Sequence, residues 1–91
     1  MARERRGGPR LPGTPATLRV YREATGWRSS VFFAGGGILC GGVPDVSTPA
    51  EARAAWTRTT EAVTRLRLTV RWEADADSGS WTGTVTEAAP A

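Results

Sequence analysis

The sequence predicts an α+β domain, an antiparallel β-sheet with one helix packed on one face, in the order βββαββ. Three observations carry that prediction. Thr48-Pro49-Ala50-Glu51 is a capping box that starts one helix. Strict alternation from Leu66 to Trp72 marks a half-buried strand beyond it. Three short apolar runs, broken at Thr25-Gly26 and Gly35-Gly36-Gly37, precede the helix as strands.

Residues 1–16 place Arg3, Arg5, Arg6 and Arg10 among glycines and prolines, with almost nothing to bury, and read as a flexible basic arm. The domain is expected over residues 17–86. Leu18 and Val20 alternate with Arg19 and Tyr21 in a first strand, and Ala24-Thr25-Gly26 supplies turn chemistry. The second strand, Trp27 to Ala34, sets Trp27, Val31 and Phe33 on one face and Phe32 on the other. Ile38 to Val43 forms a short third strand that Gly41-Gly42 weakens or bulges.

The helix is expected from about Pro49 to Arg65, with Ala52, Trp56, Thr59, Val63 and Leu66 as its apolar stripe. Glu61 and Arg65 are spaced for an i,i+4 pair. Four threonines, Thr57, Thr59, Thr60 and Thr64, are mediocre helix formers, so packing has to hold the helix. In the next strand Leu68, Val70 and Trp72 point in and Arg67, Thr69 and Arg71 out. A hairpin folded about residues 76 and 77 sets Trp72 opposite Trp81, Leu68 opposite Val85 and Gly83 opposite Val70, with Thr82, Thr84 and Thr86 outward. Residues 87–91 read as a short tail.

Ninety-one residues allow one domain. All 12 basic residues are arginine, and alanine is abundant, which points to a GC-rich bacterial genome and says nothing of function. Residues 1–72 hold every arginine and five acids, whereas residues 73–91 hold four acids and no base. Such a chain can bind polyanions or pair with itself. With one cysteine, Cys40, no intramolecular disulfide can form, and the absence of histidine removes the commonest metal ligand and general base. The first eight residues lack the apolar stretch of a secretory signal. Val31 to Val43 is too short and too rich in glycine to span a bilayer. The expectation is a cytoplasmic chain with no membrane partner.

The candidate sites are few. The glycines from Gly35 to Gly42 lack the lysine and the directly following helix of a phosphate loop, and read as a turn. Cys40 has no histidine to activate it and reads as a small strand filler. Glu73, Asp75 and Asp77 lack the glycine and distal glutamate of a calcium loop, and read as a solvated turn. No catalytic, cofactor-binding or metal-ligating residue is expected.

From Leu18 to about Val63 the order of features resembles the small YegP-like domains. The residues that carry the likeness are Val20-Tyr21-Arg22, Gly26-Trp27-Arg28, Ala34-Gly35-Gly36-Gly37-Ile38 and Ala50-Glu51-Ala52-Arg53. The same order is similar to antitoxin domains of the HicB type, whose third strand also runs into a helix that begins Thr-Pro. The resemblance implies the fold and carries no functional residue across.

A packing argument supplies the functional expectation. Five strands about 4.8 Å apart make a face about 20 Å wide, and one helix is about 10 Å across. Trp27, Phe32, Phe33 and Trp81 then cannot all lie beneath the helix, and the remaining apolar surface calls for a partner. A second copy is the simplest one. The chain is accordingly expected to be a non-enzymatic interaction module, a homodimer or the binder of a protein partner. The alternative is a nucleic-acid-binding accessory or antitoxin-like regulator. It would use Arg3, Arg5, Arg6 and Arg10 of the arm with Arg67 and Arg71 of the sheet.

Overall fold

The alternating apolar residues, the two glycine-bearing turns and the capping box give six elements in a computed structural model that describes residues 13–91. They are β1 (Pro15–Glu23), β2 (Gly26–Phe33), β3 (Ile38–Val43), α1 (Pro49–Thr64), β4 (Leu66–Ala74) and β5 (Trp81–Pro90). The strands form one antiparallel sheet in the order β3-β2-β1-β5-β4. The α+β architecture is therefore as the sequence predicts. After β3 the chain crosses the sheet through α1 to the opposite edge, and β5 then returns to lie beside β1. Among the described residues both β3 and β4 are edge strands.

The core lies between the sheet and α1. Leu18 and Val20 of β1, Trp27, Val31 and Phe33 of β2, Val43 of β3, and Ala52 and Trp56 of α1 are buried together. The Trp56 indole nitrogen donates to the Ser30 carbonyl at 2.9 Å, which satisfies the one polar atom that this large ring brings inside.

The helix begins as the sequence predicts. The Thr48 hydroxyl accepts the Glu51 amide at 3.1 Å, and the Glu51 carboxylate accepts the Thr48 amide at 3.3 Å. Its far end differs slightly: Arg65 is a left-handed cap rather than a helical residue, with φ of 59°. The buried stripe is Ala52, Trp56, Thr60 and Thr64, and Thr59 and Val63 lie outside it. Two threonines can line the buried face because their hydroxyls donate back to helix carbonyls, Thr60 to Trp56 at 2.8 Å and Thr64 to Thr60 at 2.7 Å. The Glu61 carboxylate, spaced for Arg65, accepts the Leu68 amide at 2.9 Å.

The β4–β5 hairpin departs from the expected register. Trp72 pairs with Gly83, Val70 with Val85 and Ala74 with Trp81. The cause is the turn. Asp75 N–H donates to the Ser80 carbonyl at 2.8 Å, and Gly79 takes φ of 72°, so the turn centres one residue later and the pairs from Val70 to Ala74 move by two, whereas Leu68, expected opposite Val85, pairs with Ala88 beyond a further irregularity. A shift of two leaves each side chain on its own face. Gly83 thus lies under Trp72, where an added Cβ would meet Val70 Cγ1 at 2.5 Å and the indole Cε3 at 2.9 Å.

The segment expected as a tail is strand. A register shift between Thr69 and Val70 leaves Thr86 without a cross-strand partner, and Glu87 to Ala89 pair with Thr69 to Arg67 beyond it. Alanine and proline there give no alternation for the sequence to display. At the other end β1 begins at Pro15, two residues ahead of the expected start, and residues 1–12 of the expected arm lie outside the described residues. The third strand, expected to be weak or bulged, pairs from Val43 to Ile38 with no register shift.

Candidate functional site

The sheet face away from α1 is set by register. Its rungs, in strand order from β3, run Gly42–Arg28–Tyr21, then Cys40–Ser30–Arg19–Thr82–Glu73, then Ile38–Phe32–Thr17–Thr84–Arg71. Neighbours within a rung are about 5 Å apart, and successive rungs are about 7 Å apart along the strands. This face gathers Arg19, Arg28 and Arg71 with the Tyr21 and Phe32 rings. The Arg19 guanidinium lies 5.0 Å from the Tyr21 ring centroid.

The four aromatic residues expected to bind a partner do not share a surface. Trp27 and Phe33 are buried in the core. Trp81 is half-buried, with the Arg53 guanidinium 3.8 Å over its ring. Only Phe32 is exposed, at 40%. The helix covers more than its backbone width implies, because Trp56 and the stem of Arg53 extend its reach across the sheet.

Exposed large apolar side chains nevertheless gather at one corner. Ile38 is 59% exposed and Leu39 36%, on opposite faces of the edge strand β3, and Phe32 stands beside Ile38 on the outer face. Val63 of α1 is also open, at 38%.

The two sheet edges differ in chemistry. The hydrogen bond from Phe33 N–H to the Gly37 carbonyl fixes the alternation of the β2–β3 ladder. Leu39, Gly41 and Val43 then point their amides and carbonyls at β2, and those of Ile38, Cys40 and Gly42 point off the edge. No residue of β3 is charged and none is proline. Edge β4 is guarded: Arg67, Arg71 and Glu73 line it, and Glu61 occupies the Leu68 amide. Cys40, expected as a buried or half-buried filler, is exposed on β3.

Of the arginines expected to meet nucleic acid, Arg3, Arg5, Arg6 and Arg10 lie outside the described residues, and Arg67 and Arg71 are exposed on β4. The outward threonine row ends at Thr84. The irregularity at Thr86 brings Glu87 opposite Thr69, whose hydroxyl donates to that carboxylate at 3.4 Å. An acid therefore stands between Arg67 and Arg71. On the open face, among the described residues, the one cation–ring contact is Arg19 against Tyr21. Arg28 and Phe32 share that face on β2, and the turn at residues 24 and 25 already implied their register with β1.

The distal turn is closed on itself. The Asp75 carboxylate accepts the Ser78 hydroxyl at 2.8 Å and the Asp77 amide at 3.0 Å, which in that order hold its pKa below the ordinary aspartate value. Among the described residues no group of three or more Cys, Asp or Glu side chains is placed to hold a metal ion. The glycine turn between β2 and β3 closes by Gly36 N–H to the Phe33 carbonyl at 2.9 Å, with Gly36 and Gly37 at φ of 94° and 101°. A recess of about 370 Å³ beside Val43 and Pro44 has Arg28 and Asp45 as its ionisable groups. No helix among the described residues is long and apolar enough to cross a membrane.

Comparison with protein-family models, curated proteins and solved structures returns no match to this chain.

Proposed function

We propose that this chain is a small non-enzymatic interaction module that associates with a second copy of itself through the β3 corner of its sheet. The observation that supports this reading is the confinement of Phe32, Ile38 and Leu39, three of the four exposed large apolar side chains among the described residues, to that corner. Burying them on association removes apolar surface from water at about 25 cal/mol per Å². The reading places the module in a bacterial cytoplasm, where Cys40 stays a thiol. Sedimentation at micromolar concentration should give twice the chain mass, and Phe32→Glu should shift it to the single-chain mass. A single-chain mass for the unaltered protein at millimolar concentration contradicts the reading.

A second reading has its own observation. Arg19 and Arg28 flank the Tyr21 and Phe32 rings on one open face, which suits single-stranded nucleic acid, with bases on rings and phosphates on guanidinium groups. Binding would then weaken steeply with salt. Arg19→Glu with Arg28→Glu should abolish it, and deletion of residues 1–10 should flatten the salt slope. An affinity unchanged by both alterations contradicts this second reading.

A further inference from the structure

We infer that β3 pairs antiparallel with β3 of a second copy about a twofold axis at Cys40, so that the two sheets become one continuous sheet. The inference rests on the homotypic reading above and assigns its register.

Neither Gly41 nor Gly42 has a positive φ, and their strand pairs with β2 without a bulge. A Cβ added at Gly41 would meet nothing within 4 Å, and one at Gly42 would meet only the Trp27 carbonyl at 4.0 Å. Nothing among the described residues calls for glycine at either position. Gly83 is the contrast, because its own neighbours fill the space. Glycine inside a regular edge strand with open space around it suits the close approach of something from outside.

A twofold axis at Cys40 supplies that approach from the same strand. Ile38 then lies opposite the second copy's glycine at position 42 on the outer face, and Leu39 opposite that at position 41 on the inner face. The two most exposed apolar side chains of the strand each meet a position with no side chain. The backbone agrees, since the free amides and carbonyls belong to Ile38, Cys40 and Gly42, the residues that this register sets opposite one another. Charge agrees as well. β3 has no ionisable side chain except the Cys40 thiol, and the two Arg28 side chains start roughly 20 Å apart, beyond the screening length at physiological salt. The axis is normal to the sheet, so both helices lie on the same face of the joined sheet.

The Cys40 residues of the two copies would face each other with Cα atoms about 5.5 Å apart, within the span of a disulfide or a short bis-maleimide. Cys40 is the one cysteine of the chain, so any covalent dimer reports this contact. Treatment of the native protein with a short bis-maleimide should link most chains in pairs, and the same treatment in urea should not. Gly42→Glu, which sets a charge opposite Ile38 of the second copy, should reduce linking at least tenfold and give a single-chain mass. Its melting temperature, extrapolated to low concentration, should change little, because position 42 is exposed and has space for a side chain. Ile38→Lys, at an exposed position, should have the same effect on association. A dimer that persists in both variants and does not link through Cys40 overturns the register but leaves self-association standing. A single-chain mass for the unaltered protein overturns both.

Discussion

At the residue scale, positions with one defined neighbour give the sharpest expectations. Thr48 accepts the Glu51 amide at the start of α1, so Thr48→Ala should cost about 1 kcal/mol, measured by thermal or urea unfolding. Gly83 has no room for a methyl group between Val70 and Trp72, and Gly83→Ala should cost about 1–3 kcal/mol through overpacking of that cross-strand contact. Asp75 carries the pH dependence of the distal turn. Its folded pKa is depressed by the Ser78 hydroxyl and then by the Asp77 amide. Its contribution to stability is therefore present above the ordinary aspartate value of about 4, and is lost as the pH falls through the lower folded value. In Ser78→Ala an NMR titration should move Asp75 back toward the ordinary value. An unmoved titration would mean that the hydroxyl is not the main cause.

At the element scale, the sequence displayed what depends on local chemistry and hid what depends on register. The capping box named the start of α1, because the Thr48–Glu51 bonds are made within four residues. The inner face of β4 was legible from the alternation of Leu68, Val70 and Trp72. The pairing of β4 with β5 was not, because two turn centres one residue apart satisfy the same alternation and only the Asp75–Ser80 bond selects between them. The strand nature of Glu87 to Pro90 was hidden for a related reason. Their side chains carry no burial signal, and their pairing depends on the irregularity at Thr86. Removing residues 87–91 should consequently destabilise the fold, since it leaves the first half of β4 unpaired. An unchanged urea midpoint would show that this part of the ladder contributes nothing.

At the scale of the whole molecule, width against cover decides what the sheet leaves open. The expectation that one helix leaves apolar surface uncovered on its own face holds only at Leu39, since Phe32 and Ile38 stand on the face away from α1, and Trp27 and Phe33 are fully accommodated by Trp56 and its neighbours. The candidate surface was thus half legible: Phe32 belongs to it, and Ile38 and Leu39 entered only once β3 was seen at an edge. That position depends on the crossover through α1, which sends the chain to the far edge and leaves β3 without a second neighbour among the described residues. The contrast between the guarded edge β4 and the uncharged edge β3 is the central feature of the molecule. Residue-resolved hydrogen exchange over a concentration series tests it most directly. The amides of Ile38, Cys40 and Gly42 should exchange progressively more slowly as concentration rises. Those of Val70 and Trp72 on the β4 edge should not change, and Leu68, held by Glu61, should be protected throughout. Equal exchange of the three β3 amides at every concentration, up to millimolar, would contradict the account.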